Sequence, residues 1–142
     1  MASAAEVRPL TASIVLDATK LPRPAPVRDN INALDQPMSI YEVHLGSWRR
    51  HAEEAHRSFS YLELAETLLP YALEMGYTHL ELMPVAEHPF EGSWGYQVKN
   101  CYAPTSRFGT PDGVLDLGDN SPRARMGRTM VWGPDHCPKD QH

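Results

Sequence analysis

The best-ordered pattern of apolar and polar positions lies between residues 38 and 84. Met38–Leu45 (MSIYEVHL) alternates Ile40, Glu42 and His44 with Tyr41, Val43 and Leu45. Its β-branched and aromatic residues predict a strand. A polar loop from Arg49 to Arg57 follows, and then the period changes. Tyr61, Leu64, Ala65, Leu68, Ala72 and Met75 recur at three- and four-residue intervals, which predicts a helix with one buried face. Ser60 followed three residues later by Glu63 is a capping box, with Phe59 placed to staple onto Leu64. Pro70 removes a backbone hydrogen bond inside that helix and predicts a kink or restart; Gly76 predicts its end. Tyr77–Met83 (YTHLELM), closed by Pro84, reads as a second strand. Strand, helix, strand is a βαβ unit, expected to be right-handed with parallel strands. One such unit leaves sheet edges and a helix face uncovered, so it normally belongs to something larger.

The flanks are patterned differently. Ala12–Leu16 could form one short strand. Pro22, Pro24 and Pro26 then make an extended stretch, LPRPAP, that cannot enter a sheet interior. Residues 1–36 therefore read as a linker, or as the end of a domain that is not here. From Ala86 the chain is loop-like and rich in glycine, proline and aromatic residues. Loops beyond the C-terminal ends of parallel strands are where α/β proteins keep their sites. After Gly113 the pattern fades. Gly118 and Pro122 fall where a second crossover helix belongs, and few apolar positions keep helical spacing.

Size narrows the choice of fold. With 142 residues the chain has room for about one domain, whereas a complete (β/α)8 barrel takes ~250. Thirteen prolines in 142 residues, about 9% against a usual ~5%, mark the irregular flanks. The mean hydropathy is −0.45, and no run of 18 apolar residues exists to span a membrane. The N-terminus lacks a secretory pattern. A soluble, cytoplasmic chain without membrane partners is expected. Thirteen Lys and Arg against 18 Asp and Glu give a net charge of −5, which disfavours nucleic acid as a partner. Cys101 and Cys137 are too few for a disulfide framework. Asp135, His136, Cys137, Asp140 and His142 have the composition of a metal cluster but not the spacing of a zinc site. No metal and no cofactor are expected.

Four segments together resemble the catalytic barrel of the 1,4-α-glucan branching enzymes, in the α-amylase superfamily. They are PMSIYEVHLGSWRR (37–50), SYLELAETLLPYALEMGYTHLELMPVAEHPFEGSWGYQ (60–97), YAPTSRFGTPD (102–112) and HCPKDQH (136–142). Gln97 after Trp94-Gly95-Tyr96 is similar to branching enzymes, where many amylases and debranching enzymes have Asp. The resemblance implies an α/β fold: a partial (β/α)8 TIM barrel of about the first three strands, spanning residues 37–142 and degenerate after 113. Residues 1–36 would join it to an absent N-terminal β-sandwich carbohydrate-binding module. Met130–His142 aligns with the third strand and the block after it, with Val131 where the family has Asp and Cys137 where it has Phe. Between Gly113 and Arg128 the spacing is kept while identities are lost, which points to a compensated reading-frame error or a decaying gene.

The family's chemistry is implied with the resemblance. It cleaves an α-1,4 bond with retention and passes the chain to a 6-hydroxyl, using two carboxyl groups roughly 5–5.5 Å apart. The nucleophile, the acid and a third carboxylate follow the fourth, fifth and seventh strands, so no catalytic residue is expected in this chain. Substrate-contacting positions do carry over. Tyr96 matches a tyrosine that stacks beneath the sugar at the cleavage point, and His136 a histidine that hydrogen-bonds that sugar. Trp94 is a further substrate-binding candidate, with packing as its competing role. The implied partner is α-1,4-glucan or glycogen. A non-catalytic α-glucan-binding module, or a truncated product without a role, is the alternative. Glu42, His44 and Glu81 are expected to make structural hydrogen bonds, and His51 and His56 to be solvated.

Overall fold

A computed structural model describes residues 4–5, 13–14, 17, 19, 32–123 and 126–131. The proline stretch, His136 and the Asp135–His142 cluster lie outside the described residues. In chain order the elements are β1 (Ala4–Ala5), β2 (Ser13–Ile14), β3 (Ile40–Val43), α1 (Leu45–Trp48), β4 (Arg50–His51), β5 (Arg57–Ser58) and α2 (Tyr61–Glu74). They continue with β6 (His79–Leu82), β7 (Ala86–Glu87), β8 (Asn100–Pro104), α3 (Pro111–Arg123) and β9 (Gly127–Met130).

The centre is a parallel three-stranded sheet ordered β3-β6-β9. Its register sets Glu42 beside Glu81 and Glu81 beside Thr129. Tyr41 and Val43 alternate with them, as do Leu80 and Leu82, so these apolar residues share the face that α2 covers. Leu64 and Leu68 of α2 close over Val43, Leu80 and Leu82, with Leu117 and Met126 completing the core. On the opposite face Ile40 and Glu42 are exposed. His79, also on that face, is buried because Asn32 reaches it: its Nε2 lies 3.0 Å from Asn32 Oδ1 and its Nδ1 2.8 Å from Thr78 Oγ1.

Helix α2 starts as its sequence dictates. Ser60 Oγ accepts from the Glu63 N–H, and Glu63 Oε2 accepts from the Ser60 N–H at 2.7 Å. It ends on Gly76 at φ +84, with the Tyr77 N–H reaching back to the Ala72 carbonyl at 3.0 Å. Two details differ from the periodicity. Met75 is 59% exposed, and Leu69 takes its place in the core. The helix also runs unbroken through Pro70, because Glu66 and Pro70 are both on the solvent side, where water can serve the Glu66 carbonyl.

The segment after Gly113 is a larger correction. From Pro111 it forms a 13-residue helix followed by a strand parallel to β6, so a second crossover is built where the apolar pattern fades. Pro111 opens the helix at a position that needs no N–H donor. Val114 and Leu117 give it a narrow apolar strip, and glycine supplies the rest of the fit. A Cβ at Gly113 would stand 2.9 Å from the Tyr61 Cβ, so α3 lies against α2 at a distance that a side chain would prevent. Helical spacing of large residues does not register this kind of contact. The polar loop 49–57 is likewise partly built: β4 and β5 form a small antiparallel ribbon. His51 is not solvated, since its ring stacks on Phe59 with centroids 4.1 Å apart.

Candidate functional site

The two parallel strands β3 and β6 end side by side, and the chain immediately beyond each meets the other. His44 follows β3; Pro84 follows β6. From Pro84 the chain runs through β7 into a single 3-10 turn at Glu91–Ser93, then through Trp94 and Gly95, and returns along β8, which pairs antiparallel with β7. Trp94 has φ 55 and ψ 29, and Gly95 has φ 85. Left-handed backbone is uncommon for a bulky side chain and carries about 1–3 kcal/mol of strain. At Gly95 the reason is steric as well. A Cβ there would lie inside contact distance of the Pro84 carbonyl oxygen, so the loop folds onto the end of β6 only because residue 95 has no side chain.

This turn lifts Trp94 to the surface, where it is 50% exposed, while Tyr96 is half-buried, its N–H bonded to the Ser93 carbonyl at 3.0 Å. The indole is not loose. The His44 imidazole stacks on it, with ring centroids 5.2 Å apart and planes 18° from parallel. His44 is itself steered by Ser47 Oγ, 2.9 Å from its Nδ1. Burial lowers the His44 pKa below the ordinary imidazole value. His88 and Arg50 push it the same way, against Glu91. His88 behaves similarly: burial holds it low, although its Nδ1–H donates to the Ala86 carbonyl at 2.9 Å.

The loop is tied down from inside by one carboxylate. Glu87 is 3% exposed. Its Oε1 accepts from the His88 N–H and Thr105 Oγ1, both at 3.1 Å, and from Arg107 Nη1 at 2.8 Å. Its Oε2 accepts from the Ser106 N–H and Ser106 Oγ, each at 2.8 Å. Five donors, one of them a guanidinium, meet a buried charge with good geometry, which is what such a charge requires. The Tyr61 hydroxyl adds a bond to the Thr105 carbonyl at 2.8 Å; burial, with Glu87 nearby, raises its pKa well above the usual phenol range.

Of the three substrate-binding candidates, Trp94 and Tyr96 stand together at the C-terminal ends of the strands, and His136 lies outside the described residues. Val131 follows β9 directly and extends its ladder, with its N–H bonded to the Leu82 carbonyl at 2.9 Å. Glu42 and Glu81 point from the open sheet face rather than into the loop. Among the described residues no three His, Cys, Asp or Glu side chains are grouped to hold a metal, and no helix is long and apolar enough to cross a membrane. Sequence reasoning missed Glu87 and the His44–Trp94 stack. For Glu87 a signal was available: a single carboxylate between Val85-Ala86 and an aromatic loop, with Arg107 after the next strand.

No family model matches the chain. Among solved structures it is similar to an amylase-like protein from Salmonella typhimurium, with a TM-score of 0.67 and 26% identity over 96% of this chain and 22% of that one. An α-amylase from Geobacillus thermoleovorans matches in fold, with a TM-score of 0.55 and 20% identity over 66% of this chain and 22% of that one. Sequence similarity runs further. The 1,4-α-glucan branching enzymes GlgB of Rhodopseudomonas palustris and Bradyrhizobium diazoefficiens are each 58% identical to it over all 142 residues. Those residues make up 20% and 19% of the two enzymes. From its first residue to its last, then, the chain is similar to one stretch of a 1,4-α-glucan branching enzyme, and spans about a fifth of the length of these relatives.

Proposed function

We propose that this chain is the opening part of the catalytic barrel of a 1,4-α-glucan branching enzyme, working in the cytoplasm on α-1,4-glucan or glycogen. On this reading β3, β6 and β9 are the first three strands of a (β/α)8 barrel. Residues 1–36 are the join to a β-sandwich carbohydrate-binding module. Trp94, Tyr96 and His136 contact the glucan, and the carboxylates that break and remake the glycosidic bond belong to later strands. The observation that carries it is the 58% identity along the entire chain. The placement of Trp94 and Tyr96 supports it: flat aromatic faces at the C-terminal ends of parallel strands suit the C–H face of glucose.

A second reading is favoured by the half-exposed Trp94: a module that binds α-glucan and performs no chemistry. One chimera separates them. These 142 residues replace the matching stretch of the Rhodopseudomonas enzyme, once unchanged and once with Val131→Asp. Branching is followed by loss of iodine colour and gain of α-1,6 linkages. The barrel reading expects turnover with Val131→Asp and little without it. A folded chimera that binds glycogen and stays inactive in both forms would leave the binding module standing.

A further inference from the structure

We propose that His44 is a positioning residue for glucan contact: its ring, stacked on Trp94, fixes the plane of the indole that receives the sugar. This rests on the glucan-contact reading of Trp94 and adds to it a residue from a different strand.

Three observations carry it. First, the stack is nearly parallel, at 5.2 Å and 18°, so His44 covers one indole face and leaves the other for a ligand. Second, the partly buried imidazole is itself held in place. Ser47 Oγ fixes Nδ1 at 2.9 Å, and Gly46 leaves the room for the ring, since a Cβ there would stand 3.1 Å from His44 Cε1 and 3.4 Å from Phe108 Cζ. Third, Trp94 needs an outside hold. Its backbone sits in the left-handed region at φ 55, a conformation that persists only where its surroundings impose it. The hold comes from β3, while the loop itself hangs from β6. His44 therefore fastens the loop of one strand to the end of its neighbour.

The charge state follows from the surroundings. His88 beyond β7, Arg50 on β4 and Glu91 in the 3-10 turn face His44, and burial with two of those three disfavours the imidazolium. The neutral ring is the one that stacks. A histidine held below its ordinary value of 6.5 loses its native contact as pH falls, because protons bind better where the ring is released. Acidification should loosen the indole.

The test is a double-mutant cycle on the whole 142-residue chain with maltoheptaose as the probe, read by affinity electrophoresis and by indole fluorescence. Trp94→Ala should weaken binding strongly. His44→Ala should weaken it about two- to tenfold, the worth of one aromatic pair, and His44→Phe should restore it by keeping the flat ring. Combining His44→Ala with Trp94→Ala should add nothing. In the free chain, indole emission should change between pH 7.5 and 5 in the wild type and lose that component in both His44→Phe and Trp94→Phe. If Trp94→Ala weakens binding while His44→Ala leaves both binding and the pH-dependent emission unchanged, the positioning role fails and the glucan reading survives. If Trp94→Ala binds as well as wild type, the glucan reading of Trp94 itself fails, and the inference with it.

Discussion

Replacing Glu87 with glutamine tests how the loop after β6 is held. The change keeps the size of the side chain and removes its charge. Glu87 has two acceptor oxygens facing five donors, whereas a glutamine offers one oxygen and an NH2 group. Aiming the NH2 at Ser106 is the milder choice, since the Ser106 hydroxyl can rotate to accept. The Ser106 N–H cannot, and a buried donor left facing a donor costs about 1–3 kcal/mol. Arg107, with its side chain 18% exposed, also loses its counter-charge, and breaking a buried pair from one side costs about 3–5 kcal/mol. These terms overlap, so the larger is taken as the whole. At 1.4 kcal/mol per tenfold, the loop should open roughly 10²- to 4 × 10³-fold more often. Hydrogen exchange reads this directly. The amides of Ser106, His88 and Thr105 should exchange faster by that factor, while those at the centre of α2, such as Leu68, change far less. Arg107→Met should give a similar pattern. An acceleration below about threefold at Ser106 would show that the loop is held by something other than this carboxylate.

Gly95→Ala should displace the turn, because the new Cβ meets the Pro84 carbonyl and the residue sits at φ 85; loss of the His44-linked indole fluorescence is the readout, and an unchanged signal would refute it. Glu63 accepts from Arg57 and from the Ser60 N–H, in that order of effect, and is held well below the usual carboxylate range. Its contribution is therefore complete above the ordinary glutamate value and fades as pH falls through the lower folded one, so a carboxyl NMR titration should find it still ionised where free glutamate is protonated. The isolated chain should show no branching of amylose; any gain in α-1,6 linkages above a blank overturns the assignment of chemistry to later strands. Its exposed Ile40 and Met130, with the outer edges of β3 and β9, which pair with no strand among the described residues, should make it associate in solution, and a monomeric sedimentation profile with a sharp thermal transition would contradict that.

The elements legible in the sequence were those that bury large residues at a fixed period. MSIYEVHL and YTHLELM declared β3 and β6, and Ser60, Glu63 and Gly76 declared both ends of α2. Helix α3 was illegible for a physical reason. Its hold on α2 depends on the absent side chain at Gly113, as its fit beside Arg128 of β9 does on Gly118, and an absence has no hydrophobic period. The site divided in the same way. Trp94 and Tyr96 could be named from a motif, because the motif is contiguous. The stack beneath Trp94 joins residues fifty positions apart across two strands, and the Glu87 cluster joins residues about twenty apart, so neither leaves a local pattern. His44 in particular looked like any polar residue of an alternating strand, since alternation reports a face and not a partner.

Tyr61 belongs to two structures at once. Its Cβ is the surface on which α3 rests at Gly113, and its hydroxyl holds the Thr105 carbonyl next to the Glu87 cluster. It works as a linchpin through the first turn of α2, so the back of the molecule and the loop bearing Trp94 share one pin. A residue larger than glycine at position 113 would push on that pin and be felt at the front, with no substitution near the loop. Sequence drift along α3 is thus not confined to the outer layer: whatever changes the seat of Tyr61 changes the footing of the site.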